Sequence, residues 1–250
     1  MRFSPQLREL KWLIARPIAH RGFHGGKTIE NSEAAFAAAI AHNYSIECDV
    51  QLSADSEALV FHDDTVDRLL EGKGAVNQFT AREIKNMAFK GGTDRVQTLA
   101  ELAEQVAGRA TLVIELKTLW NNDSRIAQRA LEVLQDYNGP HALMSYDPSL
   151  ILHVAGVSPG TTRGIIGERS ASDTYQTLPF AENLSLRRMA NLTQTKPHFI
   201  SYYYPDLKCR PVAHFRAAGK PVITFTIRNR QQESEARRYC DQVTFQDYLA

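Results

Sequence analysis

Eight short, β-rich apolar runs recur along this chain, mostly separated by segments of helical periodicity. They are RPIAH (16–20), SIECDVQL (45–52), TLVIELK (111–117), HALMSY (141–146), TTRGII (161–166), HFISY (198–202), PVITFT (221–226) and QVTFQ (242–246). Helices are predicted over 31–42, 97–107, 123–137, 148–156, 182–190, 208–218 and 230–239, with Asn31 or Ser32 placed to cap the first. Strands alternating with helices predict a parallel sheet. Eight such units predict an α/β chain closed into a TIM (β/α)8 barrel, for which 250 residues is a usual length. An open doubly wound sheet is the alternative, but no GxGxxG follows a strand.

Residues 51–107 stand outside this rhythm and read as a small insertion after the second barrel strand. They hold a further extended run, ALVFHD (58–63), turn signals at EGKG and GGTD, and a short helix near 80–89. No Pro/Gly/Ser-rich linker divides the chain, so residues 1–250 read as one barrel domain with that insertion inside it.

Lysine and arginine number 29 against 28 aspartates and glutamates, a net charge of +1. Such a balance excludes the basic footprint of nucleic-acid binding and a polybasic membrane patch. An anionic substrate must therefore be met by a local cluster. The three cysteines, Cys48, Cys209 and Cys240, form no CxxC, which points to a reduced, intracellular protein. The opening segment MRFSPQLRELKWLIARP carries charges throughout and reads as no leader, and no run reaches membrane-spanning length. The expected location is cytoplasmic, the expected partner a small-molecule substrate. No pattern specifies an oligomeric state.

In a parallel barrel the active site lies at the C-terminal strand ends. His20 and Arg21 end the first strand, Glu47 and Asp49 lie toward the end of the second, and Glu115 and Lys117 end the third. His62 ends the extended run that follows the second strand. Residues i and i+2 of a strand share a face. Glu47 and Asp49 therefore point one way and Cys48 the other; Glu115 pairs with Lys117, and Val60 with His62. Three carboxylates on two neighbouring strands make an all-oxygen pocket suited to Mg²⁺ or Ca²⁺, whereas zinc would want more His or Cys. An Arg and a Lys beside it suit a phosphate held between metal and cations. Two histidines on different elements suit a general acid and a general base on opposite sides of a phosphorus.

Each signal has a plainer reading. A lone strand-end His is more often a hydrogen-bonded structural group, and solvent-facing acid pairs are common on strands. Glu115 and Lys117 alone could be a rim ion pair worth about 0–1 kcal/mol. Their joint placement at strand C-termini is what separates them from these readings.

The order HRG, then ENS opening a helix, then IECDVQLSADSEALVFHDD, then IELK resembles the glycerophosphodiester phosphodiesterase family. The resemblance is strong over about residues 17–117 and weaker beyond. It implies a TIM barrel with a small insertion after the second strand. It also implies metal-dependent hydrolysis of substrates such as glycerophosphocholine or glycerophosphoethanolamine to glycerol 3-phosphate and an alcohol. By position, His20 and His62 match the catalytic acid–base pair, Glu47, Asp49 and Glu115 the metal ligands, and Arg21 and Lys117 the phosphate contacts. Glu30 falls in the family's Pro-Glu-Asn-Thr motif near the metal. Here that motif reads Ile-Glu-Asn-Ser: Ile29 loses the stiffening proline, and Ser32 keeps a capping hydroxyl.

The last third departs further. A Trp-Thr strand is usual in the family, and this chain has TFTIRN, where Phe225 keeps an aromatic wall without the indole N–H. The usual Thr-Asp at the last strand end is replaced by VTFQDY, with Gln246 near that position. Two other functions remain open. One is a lysophospholipase D or sphingomyelinase D-like activity, whose apolar entrance Phe79, Phe89 and Tyr202 to Tyr204 could form, although packing is the favoured role for these aromatics. The other is a non-catalytic barrel that binds a phosphodiester. His24 is read as loop surface.

Overall fold

A computed structural model of the chain describes residues 9–170 and 175–250. The first eight residues, part of the segment read for a leader, lie outside the described residues. Among the described residues nine strands form one sheet: β1 (Ile18–Ala19), β2 (Ser45–Leu52), β3 (Ala58–Val60), β4 (Leu112–Leu116), β5 (His141–Ser145), β6 (Arg163–Gly167), β7 (Phe199–Tyr203), β8 (Val222–Ile227) and β9 (Gln242–Phe245). Eight are parallel and run β1-β2-β4-β5-β6-β7-β8-β9, and the pairing of β1 with both β2 and β9 closes the ring. This is the expected TIM barrel. The ninth strand, β3, lies antiparallel on β2, with Val50 opposite Val60.

Local signals place the helices. Ser32 caps the helix Glu33–Ala41 by accepting from the Ala35 N–H. Reciprocal Thr–Glu capping boxes, Thr80 with Glu83 and Thr98 with Glu101, start the helices Ala81–Asn86 and Leu99–Val106. Asp147 caps Pro148–Val157, where proline sits in the first turn and leaves no donor unmet. A four-residue helix, Leu192–Thr195, follows Phe180–Arg187 and carries no periodic signal long enough to have been read from sequence.

The barrel is buried on both faces, so its strands are apolar runs rather than alternating ones. Ile18, Val113, Ala142, Met144, Ile166, Phe199 and Ile223 fill the interior, with Leu13 from the segment before β1 packed among them. A larger layer between strands and helices holds Ile46, Cys48, Val50, Leu112 and Ile114. Leu99, Leu102 and Val106 belong to that layer. Residues between Leu59 and Val96 form a separate small core around Phe61, Leu70, Ile84 and Phe89. The insertion thus has its own apolar support and stands over one side of the barrel mouth.

Candidate active site

The HRG stretch leaves β1 through a turn that only certain residues tolerate. Arg21 has φ +54° and Gly22 φ +79°. A Cβ on Gly22 would sit 2.8 Å from the Ala35 Cβ and 2.9 Å from its carbonyl carbon, so the helix Glu33–Ala41 lies where only glycine fits. Two contacts hold the left-handed Arg21 in place. Its N–H donates to Glu47 Oε2 at 2.8 Å, and its carbonyl accepts from the Asn31 N–H at 2.9 Å. The first βα loop is thereby tied to β2 by backbone as well as side chains.

Asp49 lies directly beside Glu115 across the β2–β4 ladder, and Glu47 beside Val113, an interior residue. Glu47 and Asp49 thus face the barrel interior while Cys48 packs outward, as strand parity requires. Glu47 and Asp49 are buried, at 2% and 1% exposure. Asn31 Nδ2 donates to Asp49 Oδ2 at 3.0 Å. Arg21 Nε lies 3.4 Å and Lys117 Nζ 3.6 Å from the same carboxylate, and Lys117 donates to Glu115 at 3.0 Å. Burial, Asp49 and Glu115 push the Glu47 carboxyl well above its usual range. Burial acts on Asp49 in the same direction, but His62, Lys117 and Arg21 outweigh it and hold that carboxyl low. Lys117 is likewise opposed by burial, yet Glu115 and Asp49 raise it and keep it charged.

Each histidine has Nδ1 against an acceptor. His20 Nδ1 lies 3.0 Å from Gln246 Oε1, and His62 Nδ1 lies 2.8 Å from Asp63 Oδ1. An amide oxygen and a carboxylate can only accept, so both rings carry their proton on Nδ1 when neutral and keep Nε2 for other work. His20 Nε2 lies 4.0 Å from Glu47 Oε2. Burial, then Arg21, lower the His20 pKa to about 3, so the ring is neutral at physiological pH. His62 reaches the site by a turn: β3 ends at Val60, which packs in the helix-facing layer, so the shared face predicted for Val60 and His62 ends with the strand. Gln51 Nε2 braces that turn by donating to the Phe61 and Asp63 carbonyls at 2.9 and 2.8 Å.

A cavity of about 820 Å³ opens at these strand ends. Its walls include His20, Arg21, His62, Asp63, Glu115, Lys117, Trp120, Tyr146, Tyr203 and Phe225. Glu47 lines a smaller void beneath, shared with His20, Glu115 and Phe225. Most of the residues singled out in the sequence meet here, with three qualifications. Asp49 is on neither wall but lies against two cavity residues, Arg21 and Lys117. Glu30 stands behind the wall, accepting from Arg21 at 2.8 Å. His24 is half-buried and is not part of the cavity wall. Sequence reading missed Asn31 as a partner of Asp49, Gln51, Gln246 as a partner of His20, and Arg68. Of these, Gln246 had a signal as a departure from the family's pattern, and Asn31 lay in the ENS motif, where it was read as a cap that Ser32 in fact provides. The aromatics weighed for an apolar entrance divide: Phe89 and Tyr202 are core residues, Phe79 and Tyr204 pack against cores, and Tyr203 lines the cavity.

Glu47, Asp49 and Glu115 present carboxylate oxygens within 4.8 Å of one another. The donors are all oxygen, and two are buried against their own mutual repulsion, so the group fits a hard divalent cation. Glu30, His62 and Asp63 meet the same spacing, but the Arg68 guanidinium already donates to both of those carboxylates.

The profile of the glycerophosphoryl diester phosphodiesterase family matches residues 20–245. The chain belongs to this family. It is 37% identical over 130 residues to a glycerophosphodiester phosphodiesterase of Caldanaerobacter subterraneus subsp. tengcongensis, an alignment covering 48% of this chain and 53% of the relative. It is 33% identical over 111 residues to one of Bacillus altitudinis, covering 42% and 45%. The chain thus matches about half the length of these curated relatives. Its fold matches a phosphodiesterase of Oleispira antarctica, solved with the product sn-glycerol 3-phosphate, with a TM-score of 0.78 at 22% identity over 92% of each chain. A glycerophosphodiester phosphodiesterase of Thermotoga maritima aligns with a TM-score of 0.70 at 23% identity, over 91% of this chain and 92% of that one. Within the glycerophosphoryl diester phosphodiesterase family, then, this chain carries its polar cluster at the barrel rim where strand ends and insertion meet.

Proposed function

We propose that this chain hydrolyses glycerophosphodiesters, glycerophosphocholine or glycerophosphoethanolamine among them, to glycerol 3-phosphate and an alcohol. One observation carries the reading: two Nε2-presenting histidines, two paired cations and Glu115 line one cavity, and Glu115 is grouped with Glu47 and Asp49 within 4.8 Å. The Oleispira phosphodiesterase, whose fold this chain shares, holds glycerol 3-phosphate, which supports the same product here. Residues 1–250 act as one domain with 51–107 as its insertion. Three buried free cysteines, Cys48, Cys209 and Cys240, support a cytoplasmic setting. Among the described residues no helix is long and apolar enough to cross a membrane.

In this mechanism Glu47, Asp49 and Glu115 would hold Mg²⁺ or Ca²⁺, and the cation would supply charge that polarises the phosphoryl group and eases deprotonation of the attacking water or glycerol hydroxyl. Arg21 and Lys117 meet the charge that gathers on the phosphoryl oxygens. One of His20 and His62 enters neutral and takes the proton of the nucleophile at Nε2; the other enters protonated on both nitrogens and gives its Nε2 proton to the leaving oxygen. Gln246 and Asp63 fix the two rings through Nδ1. Phe225 and its neighbours Tyr146 and Tyr203 wall the cavity and exclude water from one side.

The test is release of glycerol 3-phosphate from glycerophosphocholine and glycerophosphoethanolamine, with Mg²⁺, Ca²⁺ or EDTA, beside His20→Ala. Metal-dependent release that the variant loses supports the reading. No release from folded protein with any metal sinks it. Turnover only of acyl-bearing phosphodiesters would favour the lysophospholipase D alternative, and tight binding without turnover a non-catalytic barrel.

A further inference from the structure

Arg68 lies in the insertion, its side chain 48% exposed and absent from the cavity wall. It nevertheless makes four hydrogen bonds to two carboxylates. Nε and Nη2 donate to Asp63 at 2.5 and 2.8 Å. Nη1 and Nη2 donate to Glu30 at 3.2 and 2.6 Å. Both carboxylates are themselves bonded to groups of the cavity wall: Asp63 to the His62 ring, Glu30 to the Arg21 guanidinium. The result is an unbroken series, His62–Asp63–Arg68–Glu30–Arg21, that joins the turn after β3 to the first βα loop.

An isolated exposed ion pair contributes little. Two forks made by one planar guanidinium differ, because the fork fixes direction as well as distance and lysine cannot reproduce it. Without Arg68, Glu30 and Asp63 would be two partly buried carboxylates close together, each facing the other's charge. Asp63 would be free to rotate away from Nδ1, and His62, on a turn outside the ladder, would lose its orientation.

We propose that Arg68 is a positioning residue for the reaction. It fills the cation position between Glu30 and Asp63 and thereby sets the ring of His62 and the guanidinium of Arg21. This inference rests on the proposed hydrolysis for its kinetic test only. A misplacement of about 1 Å can cost on the order of 100-fold in rate. Arg68→Ala is therefore expected to lower kcat at least tenfold, with KM changed far less and the melting temperature nearly unchanged. Guanidinium ion at low millimolar concentration, able to enter because the side chain is half-exposed, is expected to restore part of kcat. Arg68→Lys, which keeps charge but not the forks, is expected to stay impaired and serves if the alanine variant folds poorly. Wild-type kcat in either variant overturns the proposal.

A second readout needs no turnover. In the wild type the His62 Nδ1 proton, bonded to a carboxylate, is expected as a distinct downfield proton resonance, and Arg68→Lys is expected to lose or broaden it. An unchanged resonance overturns the proposal. If the wild type cleaves no phosphodiester, the functional reading falls, and the resonance alone decides the role of Arg68.

Discussion

Asn31 Nδ2 donates to Asp49 Oδ2 across 3.0 Å, and the Asp49 N–H lies 3.4 Å from Asn31 Oδ1. One amide thus engages both the carboxylate and the backbone of a buried strand residue. Asn31 is itself buried and has φ +53°, a conformation asparagine tolerates better than most residues. Asn31→Asp keeps the shape but removes the donor and adds a like charge. We expect a loss of about 1–3 kcal/mol, read by urea denaturation of the metal-free protein, together with weaker activity. Wild-type stability and activity in this variant would contradict the assigned role.

Gly22 has no room for a side chain. Gly22→Ala would force a methyl to 2.8 Å from the Ala35 Cβ at φ +79°. Overpacking of this kind costs about 1–3 kcal/mol, and the displaced loop carries His20 and Arg21. Thermal denaturation should show the loss, and kcat should fall with it. A stable, fully active alanine variant would contradict the geometry of this turn.

His20 sets a pH dependence of stability. Its pKa falls from 6.5 to about 3 on folding because burial, then Arg21, disfavour the charged ring. Between those values the unfolded chain binds the extra proton, so stability rises with pH there. The contribution is complete above pH 6.5 and is lost as pH falls toward 3. Stability of the wild type minus that of His20→Asn should therefore shrink on acidification. A difference constant from pH 7 to pH 4 would refute the shift.

Glu47 carries opposite effects with and without metal. Its carboxyl is raised by burial and by Asp49 and Glu115, so Glu47→Gln removes repulsion while retaining an oxygen for the Arg21 N–H. In EDTA the variant should melt no lower than the wild type. On adding Mg²⁺ or Ca²⁺ its rise in melting temperature should be smaller, because a ligand that binds the folded state stabilises according to its affinity. Equal metal-induced shifts in both proteins would argue against Glu47 as a ligand.

Cys48, Cys209 and Cys240 are buried and free. Burial, then Asp241, push the Cys240 thiol up to about 12, and burial, then Glu47, raise Cys48 well above its usual value. Little reactive thiolate is available at Cys48 or Cys240. A colorimetric thiol reagent at pH 8 should label neither Cys48 nor Cys240 until denaturant is added. Rapid labelling of either in the native protein would refute their enclosure.

Much of the site was legible because barrel strands obey two local rules. Period-two alternation puts Glu47 and Asp49 on one face, and parallel closure gathers strand C-termini at one rim. His20, Arg21, Glu115 and Lys117 needed nothing more. His62 was placed by the same rules, at the end of the run 58–63, but its approach depends on a turn past the end of β3, braced by Gln51, where strand parity no longer applies. Arg68, Asn31 and Gln246 act through side-chain partners 38, 18 and 226 residues away, and no periodicity reports such pairings.

The amino-acid sequence by itself determined the eight-fold strand–helix rhythm, the caps that start the helices and the residue types gathered at the rim. These are local properties, set by backbone sterics, side-chain alternation and hydrogen bonds a few residues long. Tertiary structure decided which nitrogen of each histidine is left for chemistry, which carboxylate is pushed up and which held down, and which arginine joins the insertion to the first loop. Those outcomes depend on desolvation and on charges brought together only when the barrel closes.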